Sequence, residues 1–145
     1  MIGLLQRVTD ARVEVNGKTV AEIGAGLLVL IGVQHGDREQ QADRMLERLL
    51  HFRVFPDEDG KMNLDVVEVG GSLLLVPQFT LAADTRKGTR PSFASAAPPE
   101  ESEALFAYLV RQACKAHDPV GAGSFGTQML VTLTNDGPAT FWLEV

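Results

Sequence analysis

The sequence has few of the features that mark disulfide-rich, membrane or secreted proteins. Among its 145 residues there is one cysteine, Cys114, so the chain can form no internal disulfide and holds no cysteine-based metal motif. The longest apolar stretches, residues 26–33 and 72–77, are far shorter than the roughly 20 residues of a membrane-spanning helix. The first residues lack the basic and apolar regions of a signal peptide. We therefore expect a cytoplasmic protein with no membrane segment.

Positive charge is also scarce. Thirteen Lys and Arg stand against nineteen Asp and Glu, which gives a formal net charge of −6. Nucleic-acid binding depends on Lys and Arg that displace counterions from phosphates, so an acidic chain has no overall electrostatic reason to bind RNA or DNA. A polyanionic partner would need a local patch, and Arg86, Lys87 and Arg90 offer one. They lie in the irregular stretch 82–99, which is too long for a plain connection and is therefore a candidate binding segment.

The residues that are present indicate a strand-rich α/β fold in one domain, 1–145. The composition, 45% hydrophobic and 22% charged, is that of a globular protein. One helix is predicted to begin at Asp37 as N-cap, with Gln40 completing a capping box, and another at Pro98-Pro99. Strands are predicted at 2–15, 18–23, 27–33, 52–55, 73–81, 129–134 and 139–145. We predict a layered arrangement in which two packed β-sheets form a barrel-like core with two helices.

The common catalytic motifs are absent. The three histidines, His35, His51 and His117, share no metal-ligand spacing, so no zinc site is expected. The sequence has no phosphate-binding loop and no Gly-x-Ser-x-Gly nucleophile elbow. We therefore expect neither a metal nor a cofactor.

Two polar segments interrupt the apolar pattern. Residues 77–81 read Pro-Gln-Phe-Thr-Leu, which is typical of an edge strand whose Gln78 and Thr80 face water. The alternative interpretation is a strand end that presents Thr80 and backbone N–H groups to a polarised carbonyl. Residues 135–140, Asn-Asp-Gly-Pro-Ala-Thr, are by themselves typical of a hairpin turn.

Taken together, the two segments make the chain similar to the D-aminoacyl-tRNA deacylases. That family carries Ser-Gln-Phe-Thr-Leu and a Gly-Pro pair within Asn-Asp-Gly-Pro, which correspond here to 77–81 and 135–138. The resemblance also covers 6–8, 24–30, 60–63, 90–93 and 140–142. It implies hydrolysis of the ester between a D-amino acid and the terminal adenosine of tRNA, and of glycyl-tRNA mischarged on tRNA-Ala. It further implies a homodimer whose active sites lie at the subunit interface.

The resemblance also implies a role for each matched residue. Gln78, Phe79 and Thr80 would form the catalytic site, with the backbone N–H groups of Phe79 and Thr80 stabilising an oxyanion. The sequence shows no base beside Thr80, so a positioning role for Thr80 is favoured over a nucleophilic one. The acceptor end of the tRNA would meet the cations of segment 82–99.

The substrate-binding residues follow from the same resemblance. Gly137 and Pro138, joined by a cis peptide bond, would enter the partner's pocket and reject an L-amino acid by steric clash. Arg7 would brace this Gly-Pro motif. Phe125 and Met129 would lie around the terminal adenine, although ordinary core packing explains their spacing almost as well.

Three alternatives remain open. Position 77 is Pro where the family usually has Ser, and a sister group with relaxed specificity carries Pro-Gln-Ala-Thr-Leu. Phe79 and Arg7 agree with the D-specific group, but Pro77 keeps a relaxed-specificity deacylase as an alternative. The second alternative is a Thr80-dependent esterase acting on small D-amino-acid derivatives. The third is a dimeric RNA-binding module without catalytic activity.

Overall fold

The computed structural model describes residues 1–145 and contains a six-stranded β-sheet, a short two-stranded ribbon and two α-helices. The helices are α1 (Glu39–Leu50) and α2 (Pro99–Ala116), and neither is long and apolar enough to cross a membrane. The strands are β1 (Ile2–Val15), β2 (Lys18–Ile23), β3 (Gly26–Gly32), β4 (Phe55–Pro56), β5 (Met62–Leu64), β6 (Ser72–Pro77), β7 (Val120–Ala122) and β8 (Leu130–Glu144).

The sheet has the order β2-β1-β3-β6-β7. Strands β2 and β3 pair with one edge of β1, and β8 pairs with the opposite edge of β1 along nearly its whole length. The β3–β6 and β6–β7 pairs are parallel, whereas the pairs made by β1 are antiparallel. Parallel neighbours need a long crossover connection. Helix α1 lies in the connection between β3 and β6, and α2 lies in the connection between β6 and β7.

Both faces of the central strands are buried, which explains why β3 and β6 are apolar without alternation. Leu27, Val29 and Ile31 belong to the larger core, which also contains the buried residues of α1 and α2. Leu28 belongs to a second core on the opposite face of the sheet. There β2 packs across β6 and β7, so the sheet curls towards a barrel. The predicted strand-rich α/β fold with a barrel-like core and two helices is confirmed.

Helix α1 begins one residue later than the sequence predicts. Its N-cap is Arg38, whose backbone N–H donates to Oε1 of Gln41 over 2.9 Å, so the predicted Asp37–Gln40 capping box is wrong. The Asp37 carboxylate instead accepts from the Met1 ammonium group and from the Gln34 N–H, each over 2.7 Å. The Met1 side chain is fully buried, and a buried charge is costly without a partner of opposite charge. Asp37 therefore pairs with the Met1 ammonium group instead of capping the helix.

The strand predicted at 52–55 is reduced to β4, where Phe55 pairs with Leu64. The carbonyl of Val54 accepts a hydrogen bond from the guanidinium of Arg7 rather than from a neighbouring strand. A distant arginine has therefore taken the backbone group that would have extended the strand.

Candidate functional site

The first polar segment lies where β6 ends. Gln78 donates its backbone N–H to the Ile31 carbonyl over 2.7 Å, after which the chain forms a single 3-10 turn, Phe79–Ala82. The strand predicted to continue to residue 81 therefore stops at Pro77. It stops because its neighbours β3 and β7 end at Gly32 and Ala122, and unpaired strand backbone would leave its polar groups without partners.

The turn places two backbone N–H groups at its open end. Its first internal hydrogen bond runs from the Leu81 N–H to the Gln78 carbonyl over 3.3 Å. The N–H groups of Phe79 and Thr80 precede that bond, in the position where a helical turn has no internal acceptor. Such N–H groups are suited to bind a negatively charged oxygen.

No base is hydrogen-bonded to the Thr80 hydroxyl. Its exposed hydroxyl accepts a hydrogen bond from the Gln78 side-chain amide, and this is its one side-chain hydrogen bond. Nucleophilic catalysis by threonine requires a base within hydrogen-bond reach of the hydroxyl. His51 and His117 bond elsewhere, to Asp65 and to the Gly71 carbonyl. The arrangement therefore favours positioning over nucleophilic attack by Thr80.

A cavity of about 550 Å³ opens beside this turn. Pro77, Gln78 and Phe79 form part of its wall, and Phe125 and Met129 form another part. The structure thus brings these predicted site residues together, whereas the Thr80 side chain is not part of the wall. The lining is mainly apolar with a few polar groups, as in pockets that bind small molecules.

The N-terminal end of α2 forms a further part of the cavity wall, although the sequence pattern predicted only an ordinary helix start there. Ser102 and Pro99 line the wall, and Ser102 is buried with its hydroxyl donating to the Ala97 carbonyl over 3.2 Å. The sequence holds one sign of this wall. Ser102 is a small polar residue in the acidic first turn of α2, and it lies outside the outer face of the helix, where polar residues are expected.

The second polar segment is a bulge and not a hairpin turn. Strand β8 continues through it, pairing Asn135 with Val8 and Thr140 with Gln6. In β1 only Arg7 lies between Gln6 and Val8, whereas in β8 four residues lie between Asn135 and Thr140. These four residues therefore project out of the ladder. The predicted hairpin is wrong because β1 pairs with β8 on both sides of the segment.

Arg7 holds the base of this bulge. The arginine is 8% exposed and its Nε donates to the Asp136 carbonyl over 3.0 Å, while Nη1 donates to the Val54 carbonyl over 2.5 Å. A Cβ at Gly137, which has φ +136°, would lie 3.1 Å from Nη2 of Arg7. The peptide bonds before Pro119 and Pro138 are both cis. Through these two contacts Arg7 links the bulge at Asp136 to the backbone at Val54.

Within one chain, the two motifs lie at opposite ends of β3. Arg7, beside Gly137, pairs with Leu27 near the start of β3. Gln78 packs at the other end of β3, because a Cβ added at Gly32 would lie 3.2 Å from the carbonyl oxygen of Gln78. Leu27 and Gly32 are about 16 Å apart along an extended strand. Gly137 and Pro138 are accordingly not among the residues that line the cavity of the same chain.

The loop between the 3-10 turn and α2 carries the predicted cationic patch. Arg86 is tied within the loop because its guanidinium forms an ion pair of 2.7 Å with Asp84. This guanidinium holds the pKa of the Asp84 carboxyl well below its usual range. Lys87 and Arg90 are exposed and form no ion pair. These two side chains are thus the free cations next to the site.

Comparisons with known proteins agree with the resemblance inferred from the motifs. Residues 4–144 match the model of the family described as D-Tyr-tRNA(Tyr) deacylase. The chain is 62% identical over 145 residues to a D-aminoacyl-tRNA deacylase of Thioalkalivibrio sulfidiphilus, with 100% of this chain and 97% of that protein covered. It is 63% identical over 144 residues to a D-aminoacyl-tRNA deacylase of Alkalilimnicola ehrlichii, with 99% and 96% covered.

A solved structure, that of the c-Myc DNA Unwinding Element Binding Protein, has the same fold. It superposes with a TM-score of 0.95 at 37% sequence identity and covers 100% of this chain and 99% of its own. The family match and the identities extend over practically the whole sequence. The chain therefore belongs to the D-Tyr-tRNA(Tyr) deacylase family, a family of hydrolases.

Proposed function

We propose that this protein hydrolyses the ester bond between a D-amino acid and the 3′-terminal adenosine of tRNA in the cytoplasm, releasing the free amino acid and the tRNA. The supporting observation is an apolar cavity of about 550 Å³ beside a turn with two open backbone N–H groups and no nucleophile–base pair. An aminoacyl ester is already activated, so positioning and oxyanion stabilisation provide most of the rate it needs.

In this mechanism the substrate itself supplies the polar chemistry. Water attacks the ester carbonyl carbon while the N–H groups of Phe79 and Thr80 stabilise the developing oxyanion. The bond to the ribose oxygen then breaks, and that oxygen takes up the proton that the attacking water releases. The neighbouring ribose hydroxyl orients the attacking water. Gln78 positions Thr80, and Phe125 and Met129 hold the adenine ring.

Chiral selection then requires a second copy of the chain. Because the two motifs lie at opposite ends of β3, the Gly137-Pro138 segment of one subunit serves the pocket of the other, and the enzyme is a homodimer. The backbone carbonyls of this segment meet the substrate at Cα, so an L-substituent clashes while a D-residue or glycine enters. Recognition of this kind is independent of the side chain, so glycyl-tRNA mischarged on tRNA-Ala is also a substrate.

A relaxed-specificity deacylase is the second candidate, and one residue favours it. Pro77 forms part of the cavity wall and lacks the hydroxyl and the N–H that a serine would present there. If this position controls selection, the Pro77→Ser variant is more selective for D-substrates than the natural sequence.

Hydrolysis of matched D-Tyr-tRNA, L-Tyr-tRNA and Gly-tRNA at moderate salt tests the proposal. We expect rapid loss of the D-tyrosyl and glycyl esters with the L-tyrosyl ester intact. Loss of the L-ester as well would favour the relaxed enzyme. Binding of tRNA without hydrolysis of any ester would favour the RNA-binding module, and turnover of free D-amino-acid esters alone would favour the Thr80-dependent esterase.

Thr80→Ala separates the positioning role from the nucleophilic role. If Thr80 only positions the substrate, kcat on D-Tyr-tRNA falls by about tenfold, whereas loss of a nucleophile lowers it by about 10³-fold or more. Thr85→Ala, an exposed threonine in the following loop, is the matched control and leaves kcat unchanged. A loss of about 10³-fold in Thr80→Ala alone would contradict the positioning role.

A further inference from the structure

Two phenylalanines form an exposed pair at the mouth of the cavity. Phe79 is 57% exposed and Phe93 is 42% exposed, although their ring centroids are only 5.2 Å apart with the planes inclined at 51°. Phe79 also lines the cavity, so the pair continues the cavity wall outwards. In the single chain, the ring surfaces that do not face each other are in contact with solvent.

The loop holds this pair in place through its own hydrogen bonds. Asp84 and Ser92 exchange both of their backbone hydrogen bonds, over 2.7 and 3.0 Å, and so close the loop just before Phe93. The hydroxyl of Ser95 donates to the Ala82 carbonyl over 2.7 Å just after it. The exposure of Phe93 is therefore a property of an ordered surface.

The loop is cationic in an acidic protein. Residues 84–93 contain three cations and one carboxylate, whereas the whole chain has a net charge of −6. Asp84 neutralises Arg86, which leaves Lys87 and Arg90 exposed without an ion-pair partner. Exposed aromatic rings beside free cations are the combination that binds single-stranded nucleic acid, since bases stack on the rings and phosphates pair with the cations.

We infer that Phe79 and Phe93, together with Lys87 and Arg90, form a stacking platform for the unpaired nucleotides that precede the terminal adenosine. This inference rests on the proposed function, in which the adenosine occupies the cavity. Phe79 belongs to both surfaces, so a strand whose last nucleoside lies in the cavity passes over the pair as it leaves. Binding confined to a few nucleotides is compatible with the acidic charge of the rest of the chain.

Phe93→Leu tests the platform when two substrates are compared. One is D-tyrosyl-adenosine, a single nucleoside, and the other is a D-tyrosylated RNA trinucleotide ending in adenosine. We expect kcat/KM on the trinucleotide to fall by about 5- to 100-fold, the effect of losing one stacked base, and by several-fold less on the nucleoside. Equal losses on both substrates would overturn the inference, because Phe93 would then act only through the catalytic turn.

Direct binding separates failure of the platform from failure of the proposed function. If the natural protein does not hydrolyse D-Tyr-tRNA either, the proposed function is wrong. Titration with the unacylated trinucleotide then still tests the platform, because Phe93→Leu weakens trinucleotide binding but not adenosine binding if bases stack there. If Phe93→Leu instead shifts the monomer–dimer equilibrium in sedimentation and leaves the substrate ratio unchanged, the pair belongs to a subunit interface and the inference falls.

The salt dependence tests the cations independently. Removing one phosphate contact reduces the slope of log kcat/KM against log salt concentration by about 0.7 for a single strand. We expect this change for Lys87→Gln on the trinucleotide. Lys61→Gln, an exposed lysine in the 57–61 turn, is the matched control and leaves the slope unchanged. Identical slopes in the two variants would remove Lys87 from the platform.

Discussion

Replacing Arg7 with methionine removes the side-chain donors that connect β1 to the Gly137-Pro138 bulge. Methionine keeps much of the apolar length, but the carbonyls of Asp136 and Val54 lose their charged donor. A hydrogen bond to a charged group contributes about 1.5–3 kcal/mol, and water cannot replace it easily where the arginine is 8% exposed. We expect the free energy of unfolding to fall by about 3–6 kcal/mol.

Arg12→Met is the matched control because Arg12 lies on the same strand. Its side chain is 47% exposed, and its ion pair with Glu14 spans 3.2 Å at the surface. Exposed pairs of this kind contribute about 1 kcal/mol or less. Denaturant titrations at pH 7 compare the two variants with the natural protein. All three are measured at one protein concentration, because self-association changes apparent stability.

The same pair of variants tests the proposed chiral selection by the Gly137-Pro138 segment. A displacement of about 1 Å in a positioning group can change a rate by about 10²-fold. We therefore expect the ratio of kcat/KM for D-Tyr-tRNA over L-Tyr-tRNA to fall at least about tenfold in Arg7→Met. The ratio is unchanged in Arg12→Met. If Arg7→Met loses no more stability than Arg12→Met and keeps the ratio, the bracing role is refuted.

Two further predictions concern the support of the site. Gly26→Ala places a Cβ 2.0 Å from the Ser72 carbonyl oxygen and is expected to cost about 3 kcal/mol in a denaturant titration. Gly24→Ala, which meets nothing within 4 Å, is the control, and equal stability of the two variants would contradict the close β3–β6 approach. The hydrogen-bonded Arg86 guanidinium lowers the pKa of Asp84, so the stability that this carboxylate contributes is present above about pH 4 and is lost as the pH falls further. Arg86→Met raises that pKa towards its ordinary range in an NMR titration, while the backbone N–H of residue 86 still donates to the carboxylate and holds part of the shift. An unchanged pKa would show that the guanidinium does not cause the shift.

Much of the architecture was predictable because it depends on local apolar patterns. The buried face of α1 follows the helical spacing of Ala42, Met45 and Leu49, and all three are fully buried. The unbroken apolar run of β3 indicated a strand covered on both faces, and its side chains do enter the two cores. Such patterns are predictive because burial depends on the period of the side chains along one element.

Three local predictions were wrong where a distant group competed for a backbone or side-chain partner. Asp37 has the chemistry of an N-cap, but the Met1 ammonium group takes its carboxylate. Residues 52–55 have the composition of a strand, but Arg7 takes the Val54 carbonyl. The segment 135–138 has the composition of a hairpin turn, but β1 pairs with β8 on both sides of it. Local sequence carries no information about these partners.

The sequence alone determined the family, the strand-rich α/β class and the identity of both motifs, because these depend on residue type and order. Only the tertiary structure decided that β6 stops at Pro77, where its neighbours end, and that Gly137 stands on a bulge held by Arg7. It also decided that the two motifs lie at opposite ends of β3 in one chain. The physical reason is that backbone groups take the partners that the sheet brings to them, and these partners are remote in sequence.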